Sequence, residues 1–77
     1  MDVNQRLWAI VNETLADTGR DPLLMLTRDM LLRKDLGFDS LELAVLTVKL
    51  EAEFGVDVFA NGLLTTVGQV EDKLPGG

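Results

Sequence analysis

The chain contains no cysteine and no histidine. Without cysteine there is no disulfide framework, no thiolate nucleophile and no cysteine metal site. Without histidine the commonest general base and metal ligand is missing. No apolar run approaches the ~20 residues of a membrane span, and the N-terminus lacks a basic segment leading into an apolar one. A glycine-rich phosphate loop, an internal repeat and a low-complexity tract are also absent. These gaps disfavour an enzyme acting with its own residues, a metal site and a membrane span. The expectation is a cytoplasmic, non-catalytic protein.

Cations are scarce as well: 7 basic against 13 acidic residues, a net charge of -6. Such a chain repels nucleic-acid phosphates and suits electropositive protein partners. Residues 1–40 hold five basic and seven acidic groups, whereas residues 41–77 hold two and six. The anionic field is therefore concentrated in the second half. Hydrophobic residues make up 47% of the 77, which predicts one monomeric domain over residues 1–77 with a core that needs no staples. A domain of this size buries roughly 60% of its unfolded surface.

Val3, Leu7, Ile10, Val11 and Leu15 recur at helical spacing and predict a first helix over residues 3–17. Asp2 is its cap, and Gly19 sits where a C-terminal glycine belongs. Trp8 falls beside the stripe and reads as a half-buried edge residue. The connection over residues 19–38 is long for a compact domain and rich in leucine and methionine. Asp21-Pro22 predicts a short helical turn over residues 22–26. Leu31, Leu32 and Leu36 should pin the rest, leaving Arg28, Arg33 and Lys34 solvated or binding an anion.

A second helix is predicted over residues 41–54, ended by Gly55. It carries two apolar stripes: Leu43, Leu46, Leu50 and Phe54 on one side, Leu41, Ala44, Val45, Val48 and Ala52 on the other. A surface helix needs only one. The larger residues should take the core and leave the smaller ones for a partner. The alternative is that the long connection folds over the second stripe. A short turn follows near residues 59–62. Thr66 and Gln69 then form a capping box that opens a last helix over residues 66–74. The fold expected is all-α, a small bundle of three to four helices with a long first loop.

The most informative stretch is Asp35-Leu36-Gly37-Phe38-Asp39-Ser40-Leu41. Asp39 precedes the apolar periodicity and Glu42 follows three residues later, an N-cap with a reciprocal acid. Ser40, the only serine of the chain, is then the first helical residue, and its hydroxyl is not needed for capping. A hydroxyl at a helix N-terminus is well placed to carry a phosphate, because unpaired N–H groups and the helix dipole favour an anion there. Gly37 permits a tight turn.

These residues resemble the attachment motif of acyl and peptidyl carrier proteins. Leu46, Leu50, the Glu51-Ala52-Glu53-Phe54 helix end and Thr65-Thr66-Val67 extend the likeness over residues 3–74. The resemblance implies a non-catalytic carrier with an acyl-carrier-like fold. Its Ser40 would receive 4'-phosphopantetheine from coenzyme A through a phosphopantetheinyl transferase, and the arm's thiol would hold acyl groups as thioesters for acyl-activating, condensing or acyl-transfer enzymes. Asp39, Leu41, Glu42, Val45 and Val48 are expected to face partners. Leu46, Leu50 and Phe54 either line an acyl pocket or simply fill the core. The family's fatty acid carriers show several acids along the partner side of this helix, whereas here Val45, Val48 and Ala52 occupy it. That points to a specialised fatty acid, polyketide or lipid-modifying pathway. Met1 and the absence of Pro/Ala-rich flanks suggest a freestanding carrier. The alternatives are a peptidyl carrier and a helical adaptor with no prosthetic group. The terminal Gly76-Gly77 also suggests a ubiquitin-like modifier, but that needs strands where this chain has helical periodicity.

Overall fold

Helix boundaries follow the capping chemistry. In a computed structural model, which describes residues 2–62 and 64–76, three helices follow one another: α1 (Val3–Asp17), α2 (Ser40–Phe54) and α3 (Val67–Lys73). The Asp2 carboxylate accepts the Gln5 N–H at 2.8 Å and starts α1. At its far end Gly19 takes a φ of 74°. The Arg20 N–H then returns to the Leu15 carbonyl at 2.9 Å and the Gly19 N–H to Ala16 at 3.0 Å, a pairing that satisfies carbonyls otherwise orphaned at a helix end. Gly55, with a φ of 73°, closes α2. Thr66 and Gln69 form the expected capping box at α3.

No sheet strand forms among the described residues; one isolated bridge pairs Leu31 with Thr66. This rules out the ubiquitin-like reading, of whose diglycine Gly77 lies outside the described residues. Residues 58–61 make a turn rather than a fourth helix, closed by hydrogen bonds from Ala60 to Asp57 and from Gly62 to Phe59.

α1 packs against both α2 and α3. Its Leu7, Ile10, Val11 and Leu15 meet Leu43, Leu46 and Leu50 of α2 and Val67, Val70 and Leu74 of the C-terminal segment. The connections contribute Leu26, Leu32, Leu36, Phe38 and Val58 to the same core. Burial on this scale is the main source of stability, at about 1.5–3 kcal/mol for each large aliphatic side chain removed from water. At the α1–α2 seam, Lys49 Nζ stands 2.6 Å from Glu13 and 3.2 Å from Asp17. Its hydrogen bonds to those two carboxylates hold the ammonium above its ordinary range.

The helical turn expected at residues 22–26 does not form. Asn4, Trp8 and Asn12, spaced four apart on α1, capture this backbone instead. Asn12 accepts the Leu23 N–H at 2.8 Å, Trp8 donates to the Leu23 carbonyl at 3.2 Å and Asn4 donates to Leu26 at 3.2 Å. Groups a helix would need are thereby taken by side chains. Further on, residues 28–32 pair with residues 65–68: Leu32 N–H to Thr65, Val67 N–H to Met30 and Gly68 N–H to Arg28. Leu32 and Leu36 are buried as expected, while Leu31 is half-buried and holds its place through the bridge to Thr66. Arg28 is not merely solvated, since it reaches Asp72 at 3.0 Å and the buried Glu71 at 3.7 Å.

Candidate functional site

The N-terminus of α2 is fixed by a reciprocal pair of hydrogen bonds. Asp39 accepts the Glu42 N–H at 2.8 Å, and Glu42 accepts the Asp39 N–H at 3.2 Å. Capping falls to Asp39, which leaves Ser40 as the first helical residue. Ser40 is exposed, and its hydroxyl enters no hydrogen bond among the described residues. Just upstream, Gly37 turns the chain with a φ of 72°. The positive φ calls for glycine, and a Cβ there would fall 2.5 Å from Arg20 Nη2, so the guanidinium would also have to shift.

Glu42 requires a correction. It was expected to face partners, but it is buried to 5% exposure. Capping draws it inward, where the Thr18 hydroxyl donates to it at 2.9 Å and Arg20 at 3.0 Å. Burial works against its ionisation. The Asp39 N–H, the Thr18 hydroxyl and the Arg20 guanidinium outweigh that penalty and hold the carboxyl below the usual range. The carboxylate stays charged, buried and fully partnered.

On the outer side of α2, Leu41 is 71% exposed and Val48 68% exposed. Ala44 and Ala52 are exposed too, and Val45 is half-buried. Asp39 is exposed at the head of this face, with one carboxylate oxygen engaged by the cap. The long connection does not fold over it.

A cavity of about 140 Å³ opens beside Ser40, lined by Leu43, Ala44, Thr47 and Phe59. The expected pocket residues Leu46, Leu50 and Phe54 do not line it. Leu46 and Leu50 are wholly enclosed in the core, and Phe54 packs against that core with Arg6 stacked 4.2 Å from its ring centre. Sequence reasoning passed over Thr18, Arg20, Thr47 and Phe59. Arg20 follows the helix-ending Gly19, but its partners lie 16 to 22 residues away, and no local pattern announces that.

A free hydroxyl at the first position of a capped helix suits a phosphate ester. In the comparison with protein families, a model described as the phosphopantetheine attachment site matches residues 8–74. The chain belongs to that family. Comparison with curated proteins and with solved structures finds no match. As a member of the phosphopantetheine attachment-site family, the protein is a carrier of covalently attached 4'-phosphopantetheine. Such carriers are generally non-catalytic and deal with phosphopantetheinyl transferases and acyl-handling enzymes. Among the described residues no helix is long and apolar enough to cross a membrane.

Proposed function

We propose that Ser40 is the attachment point, and that the protein is an acyl carrier acting in a specialised fatty acid, polyketide or lipid-modifying pathway. The observation that carries this reading is the hydroxyl of the only serine, unengaged among the described residues, at the first position of a helix already capped by its neighbour. The prosthetic group supplies a thiol that holds acyl groups as thioesters, chemistry that a chain without cysteine lacks. Ser40 holds its phosphate, while Asp39 and Leu41 flank it as contacts for the transferase.

The outer face of α2 supports the specialised assignment. With Glu42 turned inward, Leu41, Val45 and Val48 present an apolar surface, and Asp39 and Glu51 stand at its margins. Apolar contacts depend weakly on salt, whereas charge-paired docking depends on it strongly. Partner binding should therefore change little with ionic strength. The cavity beside Ser40 supports short cargo: about 140 Å³ is close to the roughly 150 Å³ known to hold a benzene. A long chain would have to open the core at Leu46 and Leu50.

Incubation with coenzyme A and a broad-specificity transferase tests the proposal. The intact mass should rise by one phosphopantetheinyl group in the wild type and stay unchanged in Ser40→Ala. An unmodified wild type, or a modified Ser40→Ala, would overturn it.

A further inference from the structure

Arg20 follows the end of α1 and reaches acceptors on both sides of Asp39-Ser40. Nη1 donates to the Gly37 carbonyl at 2.9 Å and to both Glu42 oxygens at 3.0 Å, and Nη2 donates to the Leu36 carbonyl. The guanidinium also lies 6.0 Å from the centre of the Phe38 ring. Among the described residues, no other group donates to the Leu36 or Gly37 carbonyl. One side chain therefore ties the turn before the attachment point to the first turn of α2 behind it.

We propose that Arg20 is a positioning residue for the loading of Ser40. It holds residues 36–38 and the start of α2 in a single shape, which a transferase can dock without first ordering it. The inference rests on Ser40 being the attachment point. In loading, the Ser40 Oγ bonds to the pantetheine-side phosphorus of coenzyme A. The pyrophosphate P–O bond breaks, adenosine 3',5'-bisphosphate leaves, and the hydroxyl proton passes to a base of the transferase. The role of Arg20 precedes that step. Its planar fork of donors satisfies two carbonyls and a carboxylate together, which the compact ammonium of a lysine cannot do. Without Arg20 the buried Leu36 and Phe38 still anchor the turn, but the Leu36 and Gly37 carbonyls lose their donor. The exposed backbone around Gly37 then gains freedom that docking must remove, a loss that weakens docking rather than chemistry.

Loading kinetics with coenzyme A and a broad-specificity transferase test the role, using wild type, Arg20→Gln, Arg20→Lys and Arg28→Gln. Arg28 serves as the control because its ion pairs run to Glu71 and Asp72 of α3. Circular dichroism at the assay temperature gives the folded fraction, and the KM for the carrier is corrected by it, since unfolded carrier only dilutes the substrate. The corrected KM of Arg20→Gln should rise about tenfold with kcat nearly unchanged, tenfold being the effect of losing a few ordered rotors. Arg20→Lys should fall between it and wild type, and Arg28→Gln should match wild type. A corrected KM for Arg20→Gln equal to that of wild type would overturn the proposal, as would an equal rise in Arg28→Gln. If Arg20→Gln does not fold, Arg20→Lys decides alone: a wild-type KM overturns the proposal and a raised one supports it. A wild type that takes no group would instead remove the Ser40 reading on which the proposal stands.

Discussion

The two faces of α2 are both apolar in sequence, yet they have opposite fates. Leu43, Leu46 and Leu50 retain 3%, 0% and 0% of their exposure, while Leu41 and Val48 keep 71% and 68%. Periodicity does not separate them, because each stripe recurs at helical spacing. Size separates them, together with what the rest of the chain can bring. The inner face offers three leucines to α1 and to connection residues such as Leu32, Leu36 and Phe38. The outer face offers mainly alanine and valine, with Leu41 at its head, and nothing among the described residues covers Leu41 or Val48. The connection that might have covered it is held on α1 by Asn4, Trp8 and Asn12. That bare apolar surface begins one residue after Ser40, and in the proposed reading it is a partner contact.

The contrast is broken most directly by placing the same charge on each face. Leu46→Asp should unfold the domain, because a carboxylate in a close-packed core has no partner. Val48→Asp should shift stability by no more than about 0.5 kcal/mol, as surface changes usually do. Thermal denaturation compares them, and equal losses would mean that the outer face is buried as well.

The next largest effect is at Glu42, which belongs to neither face. Glu42→Ala should lose about 1–3 kcal/mol by leaving the Asp39 N–H unanswered and taking from Thr18 and Arg20 their charged acceptor. Since its folded pKa lies below the ordinary value of 4.5, the stability it adds is fully present above that value. It is lost as pH falls through the lower, folded value. Denaturant midpoints of wild type and Glu42→Gln should therefore converge in acid, whereas a gap independent of pH would contradict the assignment. Asp39→Ala should lose a further, smaller amount, about 0.5–2 kcal/mol, through its cap. Ser40→Ala should be nearly silent, because alanine is a good helix residue. Were Ser40→Ala the more damaging of the two in chemical denaturation, the cap would be misassigned.

Much of this was legible in the sequence. The α1 boundaries, both capping boxes, the Gly37 turn and the cap at Asp39 all rest on local patterns, which short-range hydrogen bonds then realise. By contrast α3, expected over residues 66–74, stops one residue short at each end because Thr66 and Leu74 are its caps. The errors lie where tertiary contacts override local signals. Asp21-Pro22 predicted a turn that side chains of α1 pull apart. Glu42 looked like a surface acid until Thr18 and Arg20, remote in sequence, drew it in. Leu46, Leu50 and Phe54 have the spacing of a pocket wall and of a core alike. Only the packed fold decides, and it lines the cavity with Leu43, Ala44, Thr47 and Phe59.

The central claim is that acyl groups ride on Ser40 through a thioester. Loading the wild type from an acyl-coenzyme A with a broad-specificity transferase, followed by fragmentation mass spectrometry before and after hydroxylamine, tests it in one measurement. The account predicts acyl-phosphopantetheine on the peptide containing Ser40, with the acyl part removed by hydroxylamine and the arm retained. An acyl group that survives hydroxylamine, or an arm found on any other residue, would contradict it.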